Sequence, residues 1–272
     1  MEQPVLSGCS MQIKIMFPSF IVFGKIIGLY QIMVLFGVFS AGIYSSLVAE
    51  KNKINGADVI IVLLVAGIGA ILGSHLLYIM VNFSQIIEAQ IKYLEVFHLF
   101  FNGSVFYGGL IGGILTVTVF KKKFVGIDEI IDIVTPTVPL FHFWGRIGCF
   151  FTGCCFGVES SFGFTFDHAI IEKANGINRF PVQLLEACFN LGIFIFLDYL
   201  RRRNFFKNRL LYLYLLIYSV GRFFIEFIRG DEYRGKLLFL STSQIISVII
   251  LCVAITKLSK KGPPRHPCLD AS

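Results

Sequence analysis

Residues 59–81 read VIIVLLVAGIGAILGSHLLYIMV, twenty-three positions without an Asp, Glu, Lys or Arg. A run that long and that apolar crosses the hydrocarbon core of a bilayer as one helix. The stretches 27–49, 103–120, 127–152, 180–200, 210–228 and 239–256 share its character, so about seven spans are expected. The whole chain is 56% apolar with a mean hydropathy of +0.76. Charged residues make up 15%, against roughly 25% in a soluble domain. Thirty Phe and 26 Gly suit a lipid-facing bundle with close helix contacts. The reading is an all-α polytopic membrane protein, residues 1–272 forming a single integral membrane domain.

The segments between the runs complete that outline. Residues 82–102 carry Glu88, Lys92, Glu95 and His98 among apolar side chains, the pattern of an amphipathic arm lying in the interface. Residues 153–179 are the least hydrophobic stretch and read as a small head. The net charge of +7 is a membrane signature here and not a nucleic-acid one. One set of loops collects Lys51, Lys53, Lys121-Lys122-Lys123, Arg201-Arg202-Arg203 and Lys207, and the 257–272 tail adds Lys257, Lys260 and Lys261. The positive-inside rule makes that side cytoplasmic. The N-terminus, head and arm are then expected outside, and the C-terminal tail inside. Residues 1–24 lack the ordered basic, apolar and cleavage regions of a signal peptide, so none is expected.

The chemistry concentrates in residues 142–157, HFWGRIGCFFTGCCFG. Arg146 sits in an apolar run, where a guanidinium stays charged and costs about 2.5–3.5 kcal/mol at a bilayer centre. A chain that keeps such a charge needs an anion to meet it. Arg222 is the second in-span cation, and Tyr218, Arg222 and Glu226 recur at i, i+4 and i+8 on one helix face. That stripe reads either as a site or as an Arg222–Glu226 pair that fixes packing. Glu226 satisfies one arginine at most, which leaves the other expected to be available for an outside anion. Gly108, Gly109, Gly112 and Gly113 open the third run after Tyr107. They permit close approach of either a neighbouring helix or a headgroup. Tyr30 reads as an interfacial aromatic or a pocket residue, and Gln183 and Glu186 as helix-start residues or site residues. The seven cysteines are odd in number and lie partly in apolar runs, so no disulfide framework is expected. Cys149, Cys154 and Cys155 lack zinc-site spacing and read as packing residues, with no metal assigned.

These motifs together resemble the bacterial phosphatidylglycerol–prolipoprotein diacylglyceryl transferases. The likeness rests on residues 145–157, Tyr107-Gly-Gly-Leu-Ile-Gly, Pro181-Val-Gln-Leu-Leu-Glu186, Tyr218 to Glu226 with Arg229-Gly-Asp231, and Ser241-Thr-Ser-Gln244. The resemblance implies a seven-helix fold with an outward head, in a bacterial plasma membrane. It implies transfer of diacylglyceryl from phosphatidylglycerol to a lipobox cysteine of a prolipoprotein, releasing glycerol 1-phosphate. No cofactor, no nucleic acid and no obligatory protein partner is implied. By the resemblance Arg146 and Arg222 bind the headgroup, Tyr30 and Glu226 line the pocket, and Gly153 and Gly157 are signature glycines. Tyr107, Gly108, Gly109 and Tyr218 join them as candidate site residues.

Three positions, in two motifs, depart from the family pattern. Tyr107 stands where the family has a His proposed as base, and Cys149 and Cys154 stand at its Asn and acidic positions. Tyrosine, with a reference pKa near ~10, is a poor base. The expectation is therefore that Tyr107 orients the headgroup. The alternatives are a paralogous lipid transferase with another acceptor, and an anion or lipid transporter.

Overall fold

The computed structural model describes residues 14–15, 19–22, 25–83, 105–124, 126–230, 236–237 and 240–259. Strands β1 (Lys14–Ile15), β2 (Ser19–Val22) and β3 (Lys25–Gly28) lead into α1 (Leu29–Lys51) and α2 (Gly56–Val81). Next come α3 (Phe106–Phe120), a 3-10 turn, α4 (Ile127–Val134) and α5 (Thr137–Thr152). Strands β4 (Glu159–Phe166) and β5 (Asn178–Arg179) precede α6 (Val182–Arg202) and α7 (Leu210–Ile225), which a 3-10 turn extends over Glu226–Ile228. Strands β6 (Lys236–Leu237) and β7 (Leu240–Ser241) then introduce α8 (Thr242–Ser259).

The protein is a multi-pass helical membrane protein. Among the described residues five helices are long and apolar enough to cross: Leu29–Lys51, Gly56–Val81, Val182–Arg202, Leu210–Ile228 and Thr242–Ser259. The other two expected spans differ in form. The third is α3, apolar but only 15 residues long. The fourth is divided into α4 and α5 around Thr135-Pro136. Pro136 and Pro139 have no N–H to donate, so the hydrogen-bond ladder lapses there. The backbone of Thr135 and Pro136 nevertheless stays in the right-handed helical region. Of the expected amphipathic arm only Asn82 and Phe83 are described, and of the expected tail only Lys257 to Ser259; the remainder of both lies outside the described residues.

Packing follows the small residues. α2 and α3 meet backbone to backbone: a Cβ on Gly73 would fall 2.4 Å from the Gly108 carbonyl oxygen, and one on Gly112 2.2 Å from that of Gly69. Glycine at these positions permits the close approach. α1 packs along α5, α5 along α6, and α7 along α8. The outer faces of α1 and α2 present Phe39, Ile43, Leu64 and Ile68, an apolar surface that suits lipid. Residues 153–179 form a small unit in which β4 pairs antiparallel with β5 and parallel with β1. Phe156, Phe166 and Ala174 close a core there with Phe150 of α5.

A cavity marks one end of the bundle. Asn52, Ile54, Glu129, Asp132, Arg201, Asn204 and Lys207 line one cavity, which collects the α1–α2 and α6–α7 connections at one end. Glu186, in the second turn of α6, belongs to the other end.

Candidate functional site

Three helix ends converge at that second end. Arg146 comes from the last turns of α5, Glu186 from the start of α6 and Arg222 from the last turn of α7. Nη2 of Arg146 lies 2.8 Å from Oε1 of Glu186. Nη2 of Arg222 lies 2.5 Å from Oε2 of Glu226. Both expected arginines therefore already face a carboxylate, which corrects the expectation that one of them stands without an acidic neighbour. Sequence reasoning weighed Glu226 alone as partner and left Glu186 open between helix start and site.

A third cation is Arg229, which the sequence reading quoted within the Arg229-Gly-Asp231 motif but did not make a candidate site residue. Its Nη1 is 3.9 Å from Glu186 Oε2 and its Nε 4.0 Å from Glu226 Oε2. Among the described residues three guanidiniums thus converge on two carboxylates, all of these side chains almost fully buried. Desolvating guanidiniums is costly, and they are kept in an interior where several anionic or hydrogen-bonding groups meet them. The signal available in the sequence was the Arg229-Gly230 pair following the stripe; nothing in the spacing showed that the chain doubles back.

The head makes it double back. Gly157 pairs with Arg229 in an isolated antiparallel bridge. The Val158 N–H donates to the Ile228 carbonyl at 3.1 Å, and the Gly230 N–H to the Phe156 carbonyl at 3.0 Å. A Cβ on Gly157 would sit 2.4 Å from the Phe180 carbonyl oxygen. Gly157 therefore acts by letting three backbones meet, which sets Arg229 over the carboxylates. Gly153 caps α5 in the left-handed region at φ +66°, and a Cβ there would meet Ala169 at 2.4 Å. Glycine takes that conformation without the steric penalty of a side chain.

An aromatic wall closes the inner side. Phe106 stacks on the His142 ring with centroids 3.9 Å apart, and Tyr218 packs at 5.3 Å from Phe106 and 5.5 Å from His142. Nε of Arg146 donates to Nε2 of His142 at 3.1 Å. That nitrogen is thereby an acceptor already in use. Tyr107 is buried, lies edge-on to Tyr218 at 5.9 Å and shares a hydrogen bond with Ser247. Ser247 donates on to the Ser243 carbonyl, and Ser243 Oγ accepts from Arg222 at 3.4 Å. Tyr107 is thus tied, through the first two turns of α8, to the arginine side of the site.

Some buried polar atoms here have no hydrogen-bond partner among the described residues. They include Arg222 Nη1 and Tyr218 Oη. The Glu186 oxygens belong to the same set, their arginine contacts being close but not aligned as hydrogen bonds. Native interiors leave few such atoms. A group with several acceptors and negative charge would satisfy the donors among them.

The remaining candidates fall around this centre. Tyr30, in the first turn of α1, packs on Gly148, whose added Cβ would meet Tyr30 Cδ2 at 3.0 Å. Its hydroxyl is within electrostatic reach of Arg146. Gly108 and Gly109 face α2 instead, Gly109 3.2 Å from the Ala70 carbonyl oxygen by the same construction. The structure therefore brings Tyr30, Tyr107, Arg146, Tyr218, Arg222 and Glu226 to one region, and gives Gly108, Gly109, Gly153 and Gly157 packing and turn positions.

Residues 18–259 match the family model described as prolipoprotein diacylglyceryl transferase. The chain belongs to the prolipoprotein diacylglyceryl transferase family. The phosphatidylglycerol–prolipoprotein diacylglyceryl transferase of Clostridium tetani is 36% identical over 239 residues, covering 87% of this chain and 94% of that protein. Transferase 2 of the same description from Clostridium perfringens is 34% identical, covering 85% and 91%. The Campylobacter hominis transferase is 30% identical over 261 residues, 89% of each chain. The region matched by the family model contains every residue of the arginine centre. It also contains Tyr107, Cys149 and Cys154.

Proposed function

We propose that this member transfers a diacylglyceryl group from phosphatidylglycerol to the thiol of a lipobox cysteine in a prolipoprotein, releasing glycerol 1-phosphate. The observation that carries the reading is the convergence of the buried Arg146, Arg222 and Arg229 guanidiniums at one end of the bundle, beside the Arg222 Nη1 and Tyr218 Oη donors that have no hydrogen-bond partner among the described residues. A phosphodiester is the anion a bilayer offers to such a site. Guanidinium suits it because its planar fork donates parallel hydrogen bonds to two oxygens.

In the reaction the acceptor sulfur attacks the glycerol carbon next to the phosphate ester. The S–C bond forms and the C–O bond breaks, its electron pair passing to the phosphate oxygen, while the thiol proton is released. The phosphate gains negative charge as it leaves, so fixed guanidiniums stabilise the transition state more than the bound lipid. Arg222 and Arg229 are held by Glu226 and the Gly157 bridge, and Arg146 by Glu186 and His142, so little reorganisation is required. Tyr107, engaged with Ser247, acts as an orienting hydroxyl. The enzyme works in a bacterial plasma membrane with the arginine end, head and N-terminus outward, and the Arg201-Arg202-Arg203 end and C-terminus cytoplasmic.

The test is a reconstituted assay with purified protein, phosphatidylglycerol vesicles and a lipobox peptide. The peptide is expected to gain one diacylglyceryl mass, and a Cys→Ser peptide none. Absence of product, with anion flux across the vesicles, overturns the reading.

A further inference from the structure

The end of α5 holds a second arrangement, to which the proposed transfer step assigns no role. The sulfurs of Cys149, Cys154 and Cys155 all lie within 4.8 Å of one another, and the Cys149 thiol is hydrogen-bonded to both of the others. The local backbone is built to produce this. Gly153 turns the chain at φ +66°, and the Cys154 N–H returns to the Cys149 carbonyl at 3.2 Å. Gln183 of α6 then donates to the Cys154 carbonyl at 2.8 Å. Cys155 itself adopts φ +55°, a left-handed conformation that costs a residue with a side chain on the order of 1 kcal/mol or more. The strain is borne in a turn that folds two consecutive cysteines back over a third.

We propose that Cys149, Cys154 and Cys155 form a three-thiolate site for a soft d10 metal ion, of the monovalent copper or zinc class. Metal–sulfur bonds of about 2.3 Å place three sulfurs around one ion roughly 3.8–4.0 Å apart. The observed limit of 4.8 Å is within a small side-chain adjustment of that spacing. Thiolates select soft ions over magnesium, calcium or manganese, which take oxygen ligands. Binding releases one proton from each thiol as its sulfur takes up the metal. Arg146 lies within electrostatic reach of Cys149 and Cys155 and offsets the resulting negative charge. Metal binding at this cluster does not depend on what the chain transfers.

The test uses the full chain with Cys9, Cys188, Cys252 and Cys268 replaced by Ser, purified anaerobically under reducing conditions. Titration with monovalent copper against a chromogenic chelator, and with cadmium followed by its thiolate absorption, is expected to reach one ion per chain. Adding Cys149→Ser, Cys154→Ser and Cys155→Ser should abolish uptake. Alkylation supplies a readout that needs no further substitution: bound metal should protect three thiols in the four-serine chain. No stoichiometric uptake, equal uptake by the chain lacking all three, or no protection from alkylation would each overturn the site.

Discussion

The two ends of α6 carry one acidic residue each, twelve positions and about 18 Å apart along the helix. At the far end Asp198 accepts from Tyr44 at 2.7 Å, Arg201 at 2.8 Å and Arg202 at 2.7 Å. The Arg202 side chain is 63% exposed, and water reaches that cluster. At the near end Glu186 is 1% exposed and faces Arg146 and Arg229. There the carboxylate oxygens, Arg222 Nη1 and Tyr218 Oη have no hydrogen-bond partner among the described residues. The same side-chain chemistry is complete at one end and unfinished at the other. A finished cluster anchors a helix end; an unfinished buried one has capacity left for a ligand.

The sharpest way to break the contrast is to remove a cation from the unfinished end. Arg222→Ala is expected to lower the transfer rate by about 10²–10³-fold, the scale of losing one preorganised charge-stabilising donor, measured in the reconstituted assay. Next is stability. Glu186→Gln removes the buried counter-charge of Arg146 and leaves Arg229 with Glu226 alone, and is expected to cost about 3–5 kcal/mol. Unfolding in detergent checks it, and the matching Asp198→Asn change should cost visibly less. Gly108→Ala drives a methyl toward the Gly73 carbonyl, which a Cβ would approach at 2.3 Å. Overpacking of this kind costs about 1–3 kcal/mol, read as a lowered unfolding temperature. Tyr107→Phe removes one hydroxyl bonded to Ser247 and should cost about 0.5–1.5 kcal/mol. Its transfer rate should stay within a few-fold of the parent; a loss as large as that of Arg222→Ala would make the hydroxyl essential. Lys121→Ala breaks an exposed pair with Asp128 and should change stability by about 0–1 kcal/mol.

What was legible in the sequence divides along similar lines. Long apolar runs report their own burial in lipid, so helices such as α1, α2 and α6 could be read from local composition. Arg146 and Arg222 stood out because charge in an apolar run is conspicuous. Arg229 did not, because it follows the last helical turn in a polar stretch and only the bridge to Gly157, seventy-two positions earlier, brings it inward. Glu186 read equally as a helix-start residue or a site residue; its pairing with Arg146 depends on α5 lying against α6. The glycines at 108 and 109 fitted two uses equally well, and the approach of α2 separates them. The cysteine cluster was invisible to spacing because a left-handed turn at Gly153 and Cys155, not a regular repeat, gathers the sulfurs.

On the proposed function the three arginines hold the lipid's phosphate through the transfer. The most direct measurement compares the parent with folded Arg146→Gln, Arg222→Gln and Arg229→Gln chains on phosphatidylglycerol vesicles with a lipobox peptide. Each variant should elute and unfold as a folded protein yet yield little or no lipid-modified peptide. Full transfer by all three folded variants would contradict the claim.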